Sequence, residues 1–285
     1  MLKNLRMKPK LMILFLLVGL VPLAITGFWA VRAAEEALVQ RAMDSLKTVQ
    51  QIKKDQIEKL FEKGAGDIRV LAETDDLLNI YRNLFRYHEE LNVSPVGPFP
   101  VAGDEYEEII DRHRDFFNVY MVENKYDDLY LVCSAHGHIM YSYKKGEDLG
   151  ANISTGSLRA SHLSELWQDV ISRQEVVLKD FSPYEPKNGR EVAFLGHPLY
   201  DHSGKLYGVL VLEFSHQALN EIVQKREGMG RTGETYLVAY HAIHNAYEFR
   251  SDMLTMGQGR YEIGYGLDDP PTYWKEAFDG DTEQG

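Results

Sequence analysis

The 285-residue sequence predicts an α+β fold: an N-terminal transmembrane helix, a long stalk helix, an antiparallel-sheet module and part of a second such module. Three observations carry that reading. Leu11 to Val31 is an apolar run without a charge, and helical spacing of apolar residues continues from there to about residue 90. From residue 128 onward, short β-rich runs alternate with glycine-bearing turns.

The apolar run is long enough to cross a bilayer, since about 20 helical residues rising about 1.5 Å each span a core of roughly 30 Å. Pro22 is tolerable there, and Phe28 and Trp29 sit at the far end, where aromatic rings favour the interface. Lys3, Arg6, Lys8 and Lys10 precede the run, and Glu35 and Glu36 follow it. The positive-inside rule therefore puts residues 1–10 in the cytoplasm and the body outside, in a single-pass protein of the inner (plasma) membrane. A cleaved signal peptide ending at Val31-Arg32-Ala33 is the alternative, but signal h-regions of about 7–15 residues are shorter than this run. No second run of comparable length follows, so the body is expected to remain extracytoplasmic.

Formal charge is −12, unevenly distributed. Residues 1–32 hold five cations and no acid, and the other 26 basic and 43 acidic residues leave −17. An acidic body repels phosphate backbones, which argues against nucleic acid as a partner. The one cysteine, Cys133, cannot form an internal disulfide, so the core alone must hold the fold.

Residues 32–90 read as one stalk helix: Leu38, Ala42, Leu46, Val49, Ile52, Ile57, Leu60 and Phe61 form a stripe, with a bend expected at Gly64-Ala65-Gly66. That apolar seam suits its own domain or a second subunit, and a homodimer through the stalk is expected. Residues 92–103, with three prolines and two glycines, break the helix, and helical spacing resumes from Tyr106 to Tyr120. Asp128–Ser134 and His138–Tyr143 read as a hairpin around Ala135-His136-Gly137, followed by a helix over Leu158–Arg173. Strands are expected at Glu175–Phe181, Glu191–Leu199 and Leu206–Phe214, the last buried on both faces, and then a helix over His216–Glu227. This order predicts a single antiparallel sheet of the PAS-like type over 91–227. Residues 228–285 offer two further strands, Glu234–Tyr240 and Gly259–Gly266, and a helix-like Tyr273–Phe278, which reads as a partial second module.

In that order the segments resemble the double Cache sensor regions of bacterial methyl-accepting chemotaxis proteins. The resemblance rests on Tyr126-Asp127-Asp128-Leu129-Tyr130-Leu131-Val132, the hairpin Gly137–Ser142, Glu147–Asn152, Leu158–Leu163, Lys179–Tyr184 and Gly228–Val238 with Arg250-Ser251-Asp252. It implies a membrane-distal Cache module at 91–227, part of a membrane-proximal one at 228–285, a small-molecule ligand and signalling across the membrane. The sensor of a histidine kinase or cyclase, or a free-standing membrane-anchored binding protein, are the alternatives. Such receptors carry further signalling regions beyond the second module, and this chain is expected to be C-terminally truncated. The Arg-x-Trp-Tyr motif of the amino-acid-binding subclass is absent, so an amino-acid ligand is not implied.

Gly228-Met229-Gly230-Arg231-Thr232-Gly233 matches a dinucleotide-loop pattern, but such loops follow a strand and open a helix, whereas here the helix comes first. Pairs of histidines at 136 and 138, 241 and 244, and 197 and 202 are expected to be ordinary surface histidines, with no metal and no cofactor. Cys133 is expected to be a small core residue, and no activated nucleophile or acid–base pair suggests an enzyme. Tyr141, Tyr184 and Phe194 are the expected walls of a ligand pocket, with Asp180 as its polar anchor.

Overall fold

A computed structural model of the chain describes residues 7–241, 246–255, 261–267, 269–272, 274–275 and 278. It falls into two compact units, Met1–Lys54 and Asp55–Gly285. Helix α1 (Met7–Ala72) is continuous through 66 residues and includes the whole apolar run. Among the described residues it is the one helix long and apolar enough to cross a membrane, with mean hydropathy 2.6 over its most apolar window and none of that window buried.

The stalk is not one helix to residue 90. It stops at Ala72, and α2 (Asp75–Glu90) starts afresh behind Thr74, which accepts from the Leu77 amide and donates to the Leu71 carbonyl. Thr74 followed by Asp75 and Asp76 is an N-cap with acids in the first turn, which stabilise the positive end of a helix. Nor does Gly64-Ala65-Gly66 break α1. Gly64 instead allows a close approach: a Cβ there would stand 2.5 Å from Phe214 Cζ, in a ring packed by Phe61 and Tyr126 at 5.6 and 5.2 Å. Gly66 meets nothing within 4 Å. Gly64→Ala is therefore expected to cost about 1–2 kcal/mol, and Gly66→Ala to add about 0.5–1 kcal/mol, in chemical denaturation. A stabilising Gly64→Ala would mean that the Phe214 ring yields freely.

Two short helices, α3 (Asp104–Asp111) and α4 (Arg114–Asn124), replace the single one expected over 106–120. The hairpin is β1 (Asp128–Cys133) and β2 (Ile139–Ser142), with Gly137 at φ +72° in its turn. Helix α5 (His162–Arg173) begins behind Ser161, whose hydroxyl accepts from the Ser164 amide. Strands β3 (Val177–Tyr184), β4 (Arg190–Tyr200) and β5 (Leu206–Ser215) complete a five-stranded antiparallel sheet of order β2-β1-β5-β4-β3, and α6 (His216–Val223) follows.

Strand periodicity sorts the core onto the two faces of this sheet. Leu129, Leu131, Cys133, Leu210, Leu212 and Phe214 pack on one face with Ile68, Leu71, Leu77, Ile80 and Leu84 from α1 and α2. Tyr130, Val132, Val209, Val211, Val192 and Phe194 pack on the other with Leu163, Leu166 and Val170 of α5. Strand β5 is thus apolar on both sides, as its unbroken Val/Leu run predicts.

Beyond α6 lies a second, three-stranded antiparallel sheet of order β6-β7-β8: β6 (Val238–His241), β7 (Ala246–Phe249) and β8 (Gly266–Leu267). Strand β7 was not foreseen, and the strand expected at 259–266 contributes only its last residue, with 259 and 260 outside the described residues. Of the helix expected at 273–278, positions 273, 276 and 277 lie outside the described residues, as do His244 and the side chain of His241. Helix α6 stops at Val223, short of the expected Glu227, and is capped by Gln224 in right-handed backbone. Gly228 and Gly230, at φ +81° and +69°, therefore turn the chain between α6 and β6 and do not close the helix as expected.

The histidines correct the expectation of a solvated surface. His138 is fully buried, His88 is 8% exposed and His136 is half-buried, because the C-terminal turn of α2 and the 93–101 segment close over the hairpin turn. Of the pair 197 and 202, His197 is half-buried with its Nδ1 enclosed, and His202 fits the expectation, exposed beside Arg82 at 2.9 Å.

Candidate functional site

Charged side chains inside a sheet core demand an account, because burying a charge costs several kcal/mol unless it is paired. On the α5 face, at the end of the sheet where β1 begins and β5 ends, Asp128, Asp148 and Glu213 are all fully buried, and Lys187 is 7% exposed. Strand pairing sets Asp128 directly opposite Glu213. Asp148 reaches in from the loop after β2, and Lys187 from the short turn Glu185–Lys187 after β3.

Asp128 is saturated. It accepts from the Leu129 and Lys144 amides at 2.8 and 3.0 Å, from the Ser142 hydroxyl at 3.3 Å and from Lys187 Nζ at 2.8 Å. Glu213 Oε2 accepts from the Tyr130 hydroxyl at 2.5 Å and lies 3.5 Å from Lys187 Nζ. Asp148 Oδ2 accepts from the Tyr184 hydroxyl at 3.0 Å. The other oxygens of these two acids, Glu213 Oε1 and Asp148 Oδ1, are buried without a hydrogen-bond partner.

The cluster thus sets three carboxylates against one ammonium. Burial, with Asp128 nearby, pushes Glu213 up to about 7 against the pull of Lys187 and Tyr130. Burial likewise raises Asp148, opposed by Tyr184 and reinforced by Asp128. Burial works against the charge of Lys187, but Glu213 and Asp128 outweigh it and hold its pKa above the ordinary value. Aromatic rings wall the site: Tyr184 meets Phe194 edge-on at 5.1 Å, and Phe194 meets Tyr130 at 6.2 Å. Aromatic walls beside two incompletely satisfied acids match the chemistry that receives a cationic or hydrogen-bond-donating group.

The four residues singled out from sequence do not share one pocket. Tyr184 and Phe194 do stand together, in the wall of the acidic cluster. Tyr141 faces the opposite side of the sheet, packed on Phe117 at 5.3 Å, because the register of β1 and β2 shifts between Leu131 and Val132. Asp180 anchors nothing there. A second irregularity between Lys179 and Ser182 turns it outward, where its 62% exposed carboxylate accepts from Arg250 Nε at 3.1 Å. Asp128, Tyr130, Asp148, Lys187 and Glu213 were missed. The one signal available was an acid inside an otherwise apolar strand, as in Gly208-Val-Leu-Val-Leu-Glu213-Phe.

On the α1–α4 face, at the far end of β1, His88, Cys133, His136 and His138 bring their ligating atoms within 4.8 Å of one another. Burial, then His138 and His136, lower His88 to about 4, and burial foremost lowers His138. Burial raises the Cys133 thiol.

No family model matches this chain, and no curated protein matches it. The solved structures similar to this chain are described as sensory or ligand-binding domains. The Vibrio cholerae histidine kinase DctB sensor domain is 13% identical, with 67% of this chain covered and a TM-score of 0.44. The ligand-binding domain of the Campylobacter jejuni chemoreceptor Tlp3 in complex with L-norvaline is 14% identical over 75% of this chain and 85% of that one, with a TM-score of 0.44. That of the Pseudomonas aeruginosa amino acid chemoreceptor PctC, in complex with GABA, is 17% identical over 50% of this chain and 62% of that one, at 0.30. The chain spans 61% of the DctB domain's length. With every one of these TM-scores below 0.5, the likeness assigns no ligand or activity to this chain.

Proposed function

We propose that the chain is the extracytoplasmic sensor of a transmembrane chemoreceptor, acting by binding a small cationic molecule and not by catalysis. The observation that carries this reading is the buried acidic cluster, where Asp148 and Glu213 each keep one oxygen unpartnered beside aromatic walls. A ligand with a cationic or hydrogen-bond-donating group would supply the donors that these two oxygens lack and would draw Glu213 and Asp148 toward their charged forms. Tyr130, Tyr184 and Phe194 pack its apolar part. The loops that bring Asp148 and Lys187 form the gate, since they alone supply cluster residues from outside the strands. Anchoring in the membrane rests on the apolar run of α1, and a homodimer on its exposed seam, where Leu38, Val39, Met43, Leu46 and Ile52 are 50–67% exposed.

The test is a thermal-shift and calorimetric screen of primary amines and polyamines on the full chain in nanodiscs, with isosteric carboxylates and alcohols as controls. At least one amine is expected to bind, and Asp148→Asn or Tyr184→Phe to weaken it at least about tenfold, the loss of one hydrogen bond to a charged group. A ligand that binds both variants with unchanged affinity would place the site elsewhere.

A further inference from the structure

We propose that His88, Cys133, His136 and His138 form a transition-metal site, and that zinc(II) is the ion their donor set fits. Sequence separates them widely. His88 lies in the last turn of α2, Cys133 ends β1, and His136 and His138 flank Gly137 in the hairpin turn. The fold closes the gap: His88 Nε2 lies 3.0 Å from His138 Nδ1, Cys133 Sγ lies 3.7 Å from the same atom, and all four ligating atoms fall within 4.8 Å of one another. A tetrahedral zinc with Zn–N of about 2.0–2.1 Å and Zn–S of about 2.3 Å needs donors roughly 3.3–3.7 Å apart. Movements of about an ångström bring these four to that geometry.

Two details point to a metal and not only to packed imidazoles. His138 Nε2 lies 3.0 Å from the Gly97 carbonyl and can only donate there, which leaves the lone pair of Nδ1 aimed at His88 and Cys133. A backbone carbonyl on the outer nitrogen is the usual way a metal-binding histidine is oriented. His136 Nδ1 is buried with no hydrogen-bond partner, the kind of atom a folded core does not leave without a reason. In addition, the His136 amide donates to Cys133 Sγ at 3.4 Å, which ties the sulfur to the same turn that carries the histidines.

The donor chemistry narrows the ion. Three imidazoles and a thiolate suit zinc or copper(I), whereas magnesium and calcium require oxygen. A cleft of about 730 Å³ opens beside the group, lined among others by His88, Glu89, Asn92, Ser94, Cys133 and His136, and supplies the entry path. The ion would tie the end of α2 to the β1–β2 hairpin. It would sit at the opposite end of β1, and on the opposite face of the sheet, from the acidic cluster.

The full chain, purified with chelator and dialysed against zinc or cobalt(II), tests the assignment. One ion per chain is expected, and the cobalt form should show the strong visible bands of a tetrahedral ion with a thiolate-to-cobalt charge-transfer band. Cys133→Ser should abolish that charge-transfer band, and His88→Gln and the half-buried His136→Gln should each lower zinc affinity by at least the 10–100-fold lost with outer-shell partners. His197→Gln, outside the group, should bind as the parent does. Substoichiometric zinc, a thiolate-free octahedral cobalt spectrum in the parent chain, or unchanged affinity in folded His136→Gln would each overturn the site.

Discussion

Lys187→Met is expected to destabilise the chain by about 3 kcal/mol, the low end of what breaking a buried ion pair costs. Methionine keeps most of the stem and its packing, so the loss isolates the charge. Lys187 Nζ is 2.8 Å from Asp128 and 3.5 Å from Glu213, and without it three fully buried carboxylates have no ammonium among the described residues. Asp128 keeps its amide and hydroxyl donors, and Glu213 can take up a proton, which places the cost at the low end of the range. The double variant Lys187→Met with Glu213→Gln should then lose less than the sum of the two single changes, because the glutamine removes a stranded charge. Urea denaturation of the three variants measures both quantities. A loss below about 1 kcal/mol for Lys187→Met would show that the cluster is open to water.

The second large effect is a pH dependence. Glu213 is raised from its ordinary 4.5 to about 7, so the folded state holds its proton more tightly than the unfolded chain does. Stability from this residue is therefore full below 4.5 and is lost as pH rises through about 7. A shift of that size corresponds to about 3 kcal/mol. Glu213→Gln cannot ionise and escapes the loss. Relative to the parent, it should gain on the order of 2 kcal/mol when both are compared at pH 8 and at pH 5. The comparison cancels the buried histidines, whose lowered values act in the opposite direction below pH 6.5. A stability difference that stays flat from pH 5 to 8 would mean Glu213 is ionised throughout.

The sequence made the architecture legible because its signals are local. Leu11–Val31 announced the long apolar helix, the glycine turns bounded the strands, and the Val/Leu run of 206–214 marked the central strand. Thr74-Asp75-Asp76 was a readable cap that the longer helical stripe overrode. The site was less legible, because its residues are assembled by register. Tyr141 and Tyr184 look equivalent along the chain, yet irregularities in β1–β2 pairing and in β3 send them to opposite faces. Asp128 and Glu213, 85 positions apart, become neighbours only through antiparallel pairing. Likewise His88 gives no hint of the hairpin histidines 50 residues on, since the contact depends on where α2 ends.

The claim that the acidic cluster is the sensory site is tested most directly by hydrogen exchange on the full chain in nanodiscs, with and without a bound amine. The two loops that bring Asp148 and Lys187 to the cluster should close on the ligand. Slowed exchange is therefore predicted for amides in 144–152 and 185–190, and the same amides should be unaffected by that amine in Asp148→Asn. Protection confined to 92–101 and 134–138, around the histidine group, with 144–152 and 185–190 unchanged, would contradict the assignment.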